Sequence, residues 1–150
     1  NQLIAHEKEI YKMKFEDIQV GLEGTFSRTV TEELNKNFGE LVQDFNPVHF
    51  DEERMKKSIF GKKATNGFLT ESTIGCALVK MFVSDNSVPI ALKKEIKLLA
   101  PVFIGDTITA TVSVKEKIPE KERLLCSASV KKQDGTEVVK AEFLIKILNV

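Results

Sequence analysis

The segment Gln43 to Asp51 reads QDFNPVHFD and combines a carboxylate, Asp44, with His49, one of the two histidines of the chain. An acid and an imidazole held together can take a proton from water and pass it on, which is general acid–base chemistry. Residues five apart point about 140° away from each other on an α-helix and to opposite faces of a strand. A regular element would therefore separate the two side chains.

Asn46 and Pro47 predict an irregular bend between the two groups. Proline disfavours the α region for the residue before it, and Asn-Pro is a turn signal. A bend can direct Asp44 and His49 at one point. The same residue types also suit an ordinary turn between helices, in which Asp and Asn side chains bond to nearby N–H groups. The spacing alone leaves both interpretations open.

Length and charge exclude several classes of protein. A chain of 150 residues is most simply one domain, long enough to fold without disulfides or a metal. Its 22 Lys and Arg and 22 Asp and Glu are interspersed, so no basic stripe suggests nucleic acid. The longest apolar or small run, residues 74–79, is too short to span a bilayer, and no leader pattern opens the chain. We expect a soluble, cytoplasmic protein that binds neither nucleic acid nor membrane.

The cysteines and histidines do not predict a metal site. Cys76 and Cys126 lie among apolar and small residues without CxxC spacing, which is typical of buried, reduced thiols. A site built on Asp44, His49 and Asp51 would have only His6 as a second imidazole, and His6 lies in a polar N-terminal segment. We expect no metal and no cofactor.

Helical patterns dominate the first half of the chain. Residues 1–13 are charged and weakly patterned and are interpreted as an N-terminal extension to one domain over residues 14–150. Residues 25–30 alternate like a strand, and a helix then opens at Thr31 and stops near Gln43. Asp51 can cap a short helix through about Ser58. The apolar face of the first helix is formed by Leu34, Phe38, Leu41 and Val42.

A long buried helix and a run of strands follow. Residues 67–82 carry apolar side chains around small ones, which predicts a buried central helix. Extended segments are predicted at roughly 90–99, 106–117, 122–133 and 137–149, with a hairpin signal at Asp134-Gly135. Helices followed by antiparallel strands indicate an α+β fold with one sheet packed against the central helix.

Three ordered segments carry a resemblance to a known family. They are DFNPVH at 44–49, FGKKATNGFLT at 60–70 and LLAPVFIGDTITATV at 98–112. Together they resemble the MaoC-like (R)-specific enoyl-CoA hydratase family, over about residues 14–149. The resemblance implies the hot-dog fold, an antiparallel sheet wrapped around a central helix.

The resemblance also implies roles for four residues. The catalytic pair falls on Asp44 and His49, a structural or positioning asparagine on Asn46, and an oxyanion-hole glycine on Gly67. The family commonly has histidine where this chain has Asn66. An asparagine there can cap the helix through the N2 or N3 amide and leave the Gly67 N–H unpaired. The alternative for Gly67 is a loop glycine required by positive φ.

The implied activity is reversible hydration of trans-2-enoyl-CoA to (R)-3-hydroxyacyl-CoA, with the CoA thioester as substrate. The implied assembly is a homodimer, or a higher homo-oligomer, with an acyl-thioester tunnel between subunits. Three alternatives remain: a dehydratase acting on 3-hydroxyacyl-carrier-protein thioesters, a non-catalytic acyl-CoA-binding module, and a hot-dog thioesterase. A thioesterase would need a carboxylate on the central helix, where Glu71 is the only candidate.

Overall fold

Five antiparallel strands form one sheet around a long helix. The computed structural model describes residues 14–150, so the predicted extension at residues 1–13, with His6, lies outside the described residues. The sheet order is β1-β3-β4-β5-β2, and all neighbours are antiparallel. The strands are β1 (Glu23–Thr29), β2 (Ser87–Leu98), β3 (Thr107–Ile118), β4 (Arg123–Lys132) and β5 (Glu137–Asn149).

Four α-helices lie between β1 and β2. They are α1 (Glu32–Val42), α2 (Pro47–Phe50), α3 (Glu52–Met55) and α4 (Gly67–Phe82), and single 3-10 turns occur at Phe15–Asp17 and Pro119–Lys121. The central helix α4 therefore has the predicted bounds, while the helix capped by Asp51 ends three residues earlier than predicted. None of the helices in residues 14–150 is long and apolar enough to cross a membrane.

The core lies between α4 and the inner face of the sheet. Every second residue of β3 from Ile108 to Val114 is fully buried, because alternate side chains of a strand face the same side. The opposing surface of α4 includes Leu69, Ile74 and Ala77, each at most 1% exposed. This burial of apolar surface stabilises the domain by about 25 cal/mol per Å². It also holds α4 rigidly against the sheet, so residues at the start of α4 have fixed positions.

The bounds of β2 differ from the prediction in an informative way. The strand begins at Ser87, two residues before Pro89, and Pro89 pairs with Ile147. Proline cannot donate to a central ladder, but β2 is an edge strand with an unpaired side. The predicted hairpin at Asp134-Gly135 is confirmed: it joins β4 to β5, and Gly135 has φ +86°.

The predicted apolar face of α1 is only half correct. Leu34 and Phe38 pack against the core, but Leu41 is 80% exposed and Val42 is also exposed. The buried side of α1 is centred on Asn35, and Leu41 lies about 120° round the helix from Asn35. Leu41 therefore points into solvent.

The two cysteines have different environments. Cys126 is fully buried, and burial raises the pKa of its thiol to about 12. Cys76 is only half-buried, with Arg28 Nη2 at 3.4 Å from its Sγ. Both are free cysteines, so the prediction of a buried thiol is confirmed for Cys126 and wrong for Cys76.

Asp106 stabilises the turn that leads into β3. Burial opposes its ionisation, but hydrogen bonds from Gln133 Nε2 at 2.8 Å and the Phe103 N–H at 2.9 Å, with the Lys132 ammonium at 3.0 Å, outweigh burial. They hold the pKa of Asp106 below its usual value. The charged form is therefore the one that the fold favours.

Asp106→Asn is expected to lower the free energy of unfolding at neutral pH by about 1–3 kcal/mol, the usual cost of losing hydrogen bonds to a charged group. A depressed folded-state pKa gives stability that is present above the unfolded-state pKa and lost as the pH falls through the folded-state pKa. The difference in denaturant midpoint between wild type and variant should shrink below about pH 4. Asp85→Asn, at an exposed turn, is the control. A difference that stays constant into acid would contradict this role.

Candidate active site

The segment between α1 and α2 turns the chain sharply at Asp44. Gln43 ends α1 in the left-handed conformation with φ 58°, and the Asp44 N–H donates to the Gly39 carbonyl at 3.1 Å. Asn46 then caps α2 by accepting from the Val48 N–H at 3.2 Å. Pro47 is the first residue of α2, a position that suits its fixed φ. The predicted bend is thus a bend followed by one helical turn.

His49 lies on α2, and hydrogen bonds hold both its ring and its backbone carbonyl. Its ring Nδ1 is 2.8 Å from the Ala64 carbonyl, and its own carbonyl accepts from Asn35 Nδ2 at 3.0 Å. A carbonyl can only accept, so Nδ1 carries the hydrogen and the neutral ring presents Nε2 as an acceptor. The His49 side chain is 13% exposed, which limits its movement.

The structure brings Asp44 and His49 together. Asp44 Oδ2 lies 3.8 Å from His49 Nε2, too far for a direct hydrogen bond, but one water about 2.8 Å from each atom can bridge them. Asp44 Oδ1 accepts from the Asn46 N–H at 3.1 Å, and Oδ2 accepts from Asn66 Nδ2 at 2.7 Å. Both atoms that face the bridging position are acceptors, so a water there would point both of its protons at them.

Gly67 is the first residue of α4. Asn66 caps the helix by accepting from the Phe68 N–H at 2.8 Å, and none of the hydrogen bonds found within residues 14–150 uses the Gly67 N–H. The Gly67 φ is not in the left-handed region, so the interpretation as a loop glycine of positive φ is wrong. A free N–H at a helix N-terminus attracts negative charge.

Two cavities meet at these residues. A chamber of about 200 Å³ is lined by Asp44, His49, Asn66, Gly67, Phe68, Glu71 and Leu98. A second, mainly apolar cavity of about 330 Å³ runs between Val48, Phe60, Thr70 and the 98–102 segment, and shares His49, Gly67 and Leu98 with the chamber. Asp44 and His49 therefore lie beside a space that can hold an apolar chain.

Three contacts that shape the site could not be predicted from the sequence. Asn35 is buried and fixes the His49 backbone, and Asn66 bonds to Asp44 in addition to capping α4. Position 39 requires glycine, because the ring of Phe50 occupies the place where a Cβ would lie. These contacts join segments far apart in the chain; the only local signal was that Asn35 and Gly39, four apart, share one face of α1.

Glu71 lines the same chamber as Asp44 and His49. Its carboxylate is 16% exposed and is paired with Lys94 Nζ at 2.5 Å. Within residues 14–150 no group of three His, Cys, Asp or Glu side chains is arranged to hold a metal ion. The titratable groups of the chamber are therefore an open Asp–His pair and a glutamate engaged by lysine.

The antiparallel sheet wrapped around α4 defines the hot-dog class of α+β domains. The MaoC like domain family model matches residues 15–136, and the chain belongs to this family. It is 32% identical to a 3-hydroxybutyryl-CoA dehydratase of Methylorubrum extorquens, over 93% of this chain and 87% of the relative. It is 31% identical to an (R)-specific enoyl-CoA hydratase of Rhodospirillum rubrum, over 89% and 90% of the two chains.

A solved structure shows the same fold. The (R)-hydratase from A. caviae superimposes with a TM-score of 0.80 at 26% identity, covering 87% of this chain and 98% of that one. The expected hot-dog fold is thereby confirmed.

Proposed function

We propose that this chain is a hydro-lyase that reversibly adds water to trans-2-enoyl-CoA to give (R)-3-hydroxyacyl-CoA. The observation that carries the proposal is the pair of acceptors, Asp44 Oδ2 and His49 Nε2, 3.8 Å apart beside a Gly67 N–H that has no partner among the described residues. Membership of the MaoC-like family and the names of its relatives support the thioester class of substrate.

Hydration needs an activated water, a stabilised thioester oxyanion and a proton for Cα. The Asp44–His49 pair serves the first and third needs, and the Gly67 N–H serves the second. A water held between Asp44 and His49 gives up a proton while its oxygen bonds to Cβ of the enoyl group. Negative charge then builds on the thioester oxygen, where the Gly67 N–H can stabilise it. The proton taken from the water is returned to Cα, so the elements of one water molecule are added across the double bond. Dehydration is the same sequence in reverse.

Asp44 is proposed as the main base. Its carboxylate is 37% exposed and faces the chamber, whereas His49 is 13% exposed and fixed through Nδ1 to Ala64. His49 is therefore suited to orient the water and to help carry the proton. Asn46 positions both groups, since its N–H holds Asp44 and its side chain caps the helix that carries His49.

The apolar cavity and the chamber divide the substrate between them. The chamber takes the reacting enoyl thioester, and the cavity along residues 98–102 takes an apolar segment of the substrate. CoA enters as part of the substrate, and the steps above use no cofactor. A carrier-protein thioester would undergo the same chemistry, so a 3-hydroxyacyl-carrier-protein dehydratase is the alternative that differs only in the carrier.

The direct test is incubation of the purified protein with crotonyl-CoA while the conjugated enoyl absorbance is followed. We expect this absorbance to fall to an equilibrium value without release of free CoA thiol. Release of thiol from butyryl-CoA would instead indicate a thioesterase, and binding of crotonyl-CoA without turnover would indicate a non-catalytic binding module. Comparing crotonyl-CoA with the crotonyl-carrier-protein thioester identifies the preferred carrier.

We also propose a homodimer built on α4 and the edge of β2. One face of α4 carries a stripe of Phe68, Ser72, Gly75 and Val79, in which Ser72 is half-buried and the others are exposed, Phe68 by 67% and Val79 by 54%. No atom of residues 14–150 lies within 4 Å of a Cβ built on Gly75, so a second helix can approach closely there. In the described part of the chain β2 also has an unpaired edge, with exposed Ile90 and Leu92. A second copy would cover this apolar surface.

Sedimentation of the wild type is expected to show a dimer, whose interface should bury well over about 1,200 Å². Gly75→Glu should give a folded monomer, because the isolated chain has room for the side chain while a buried, unpaired charge opposes association. Asn37→Glu, on the exposed side of α1, adds the same charge elsewhere and should stay dimeric. An active wild-type monomer, or a Gly75→Glu variant that remains a dimer, would contradict this assembly.

A further inference from the structure

The Asn66 side chain joins the two halves of the proposed site. It is 4% exposed; its Oδ1 accepts from the Phe68 N–H at 2.8 Å, and its Nδ2 donates to Asp44 Oδ2 at 2.7 Å. The orientation of the amide is fixed, because the Phe68 N–H can only donate and so must face the oxygen.

Asp44 depends on this contact for the position of its carboxylate. It lies on a bend, and its side chain is 37% exposed. Its other bond, from the Asn46 N–H to Oδ1, comes from two residues along the same bend. The bond from Asn66 spans 22 residues and reaches Oδ2, the oxygen that faces His49 Nε2. It is the tether that connects this carboxylate to α4.

The same side chain also caps the helix whose first amide stays free. An N-cap side chain satisfies the N2 or N3 amide, and Asn66 selects Phe68 at N2. The N1 amide, that of Gly67, is left without a partner within residues 14–150. One amide group therefore contacts the Asp44 carboxylate and caps the helix that begins with Gly67.

We propose that Asn66 is a positioning residue that holds Asp44 Oδ2 towards His49, beside the free Gly67 N–H. The proposal rests on the proposed hydratase function and adds to it a residue that acts through Asp44. Asn66 keeps the carboxylate of the base in a fixed position relative to the oxyanion donor. The rate depends on this geometry, because the reacting groups must be correctly oriented.

Asn66→Ser separates positioning from helix capping. Serine is a good N-cap, but its hydroxyl is too short to reach Asp44 while it caps Phe68. We expect Asn66→Ser to melt near the wild type and to lose kcat about 10- to 100-fold with little change in KM. Asn66→Ala should lose kcat to the same degree and also melt a few degrees lower, because the cap is gone. Wild-type kcat in Asn66→Ser, or kcat losses that follow the melting temperatures, would overturn the proposal.

A double-mutant cycle with Asp44→Asn measures whether the kcat losses at positions 44 and 66 are coupled. A purely structural role of Asn66 would not produce such coupling. If Asn66 acts through Asp44, Asn66→Ser should cause little further loss of kcat in the Asp44→Asn background. An independent loss of the same factor in both backgrounds would overturn the proposal.

If the wild type shows no hydration at all, the proposed function fails. Crystal structures then still decide the tether, which is wrong if the Asp44 carboxylate keeps its place in Asn66→Ser.

Discussion

Asp44→Asn is expected to lower kcat for crotonyl-CoA hydration by about 10²-fold or more, the usual scale for removing a general base. An amide has the shape of the carboxylate, and its oxygen can still accept the Asn66 hydrogen bond. Its NH2 group then takes the place of Oδ1 and loses the bond from the Asn46 N–H. The amide cannot take the proton of the bridging water. Because the variant keeps the packing and loses one exposed hydrogen bond, its melting temperature should fall by at most a few degrees.

Asp51→Asn is the matched control for Asp44→Asn. Asp51 caps α3 through the Arg54 N–H at 2.9 Å, and asparagine caps equally well. Asp51 is exposed and does not line the chamber, so this variant should hydrate crotonyl-CoA at the wild-type rate. Near-wild-type turnover in a folded Asp44→Asn variant would remove Asp44 from the mechanism.

His49→Ala is expected to reduce kcat by about 10²-fold, because it removes the Nε2 acceptor that orients the water and helps to carry its proton. It also removes the bond to the Ala64 carbonyl. His49→Asn corrects for this, since its amide nitrogen can take the place of Nδ1 and donate to Ala64. Nothing then occupies the position of Nε2 opposite Asp44. We expect His49→Asn to lose kcat to the same degree as His49→Ala and to be more stable than that variant. Comparable turnover in His49→Asn and wild type would exclude a role for Nε2.

Gly67→Pro should abolish most of the activity while sparing α4. Proline lacks the N–H that is proposed to bind the developing oxyanion, and losing one such donor costs about 3–4 kcal/mol, or 10²- to 10³-fold in kcat. Proline is well tolerated at the first helical position. Asn66 already has φ −59° and ψ 130°, the extended conformation that a residue before proline prefers. The helix should therefore form normally.

Gly67→Ala is the matched variant, because both substitutions add a Cβ at the same place. That Cβ would lie 2.8 Å from Leu98 Cδ1, but Leu98 is 62% exposed and can move. Alanine keeps the N–H and should retain much more activity than proline. Turnover and thermal melts of both variants decide the matter: equal activity in two folded variants would eliminate the oxyanion role.

Most of the fold could be predicted because its signals are local. The alternation in β3 and the apolar pattern of α4 each repeat with the period of one element, and both are found as expected. The exposure of Leu41 could not be predicted, since it depends on which side of α1 meets the sheet. The start of β2 before Pro89 depended equally on long-range order, because only an edge strand accepts proline within it.

The site could be predicted only as residue types near a bend. Asp44 and His49 lie five apart in sequence, and Pro47 indicated that neither a helix nor a strand would separate them. The tautomer of His49 depends on the Ala64 carbonyl, and the position of the Asp44 carboxylate depends on Asn66. Those contacts span 15 and 22 residues, and no periodic pattern encodes such pairs.

The configuration of the hydration product is the most direct measure of the proposed chemistry. Crotonyl-CoA is incubated with the wild type and with Asp44→Asn, and the 3-hydroxybutyrate released by later saponification is resolved by chiral chromatography. A water fixed between Asp44 and His49 can reach only one face of the double bond, so the wild type should give a single enantiomer, (R), and Asp44→Asn almost none. A racemic product, or an equal initial yield of (R) product from the variant, would contradict activation of water by this pair, and a pure (S) product would contradict the proposed (R) specificity.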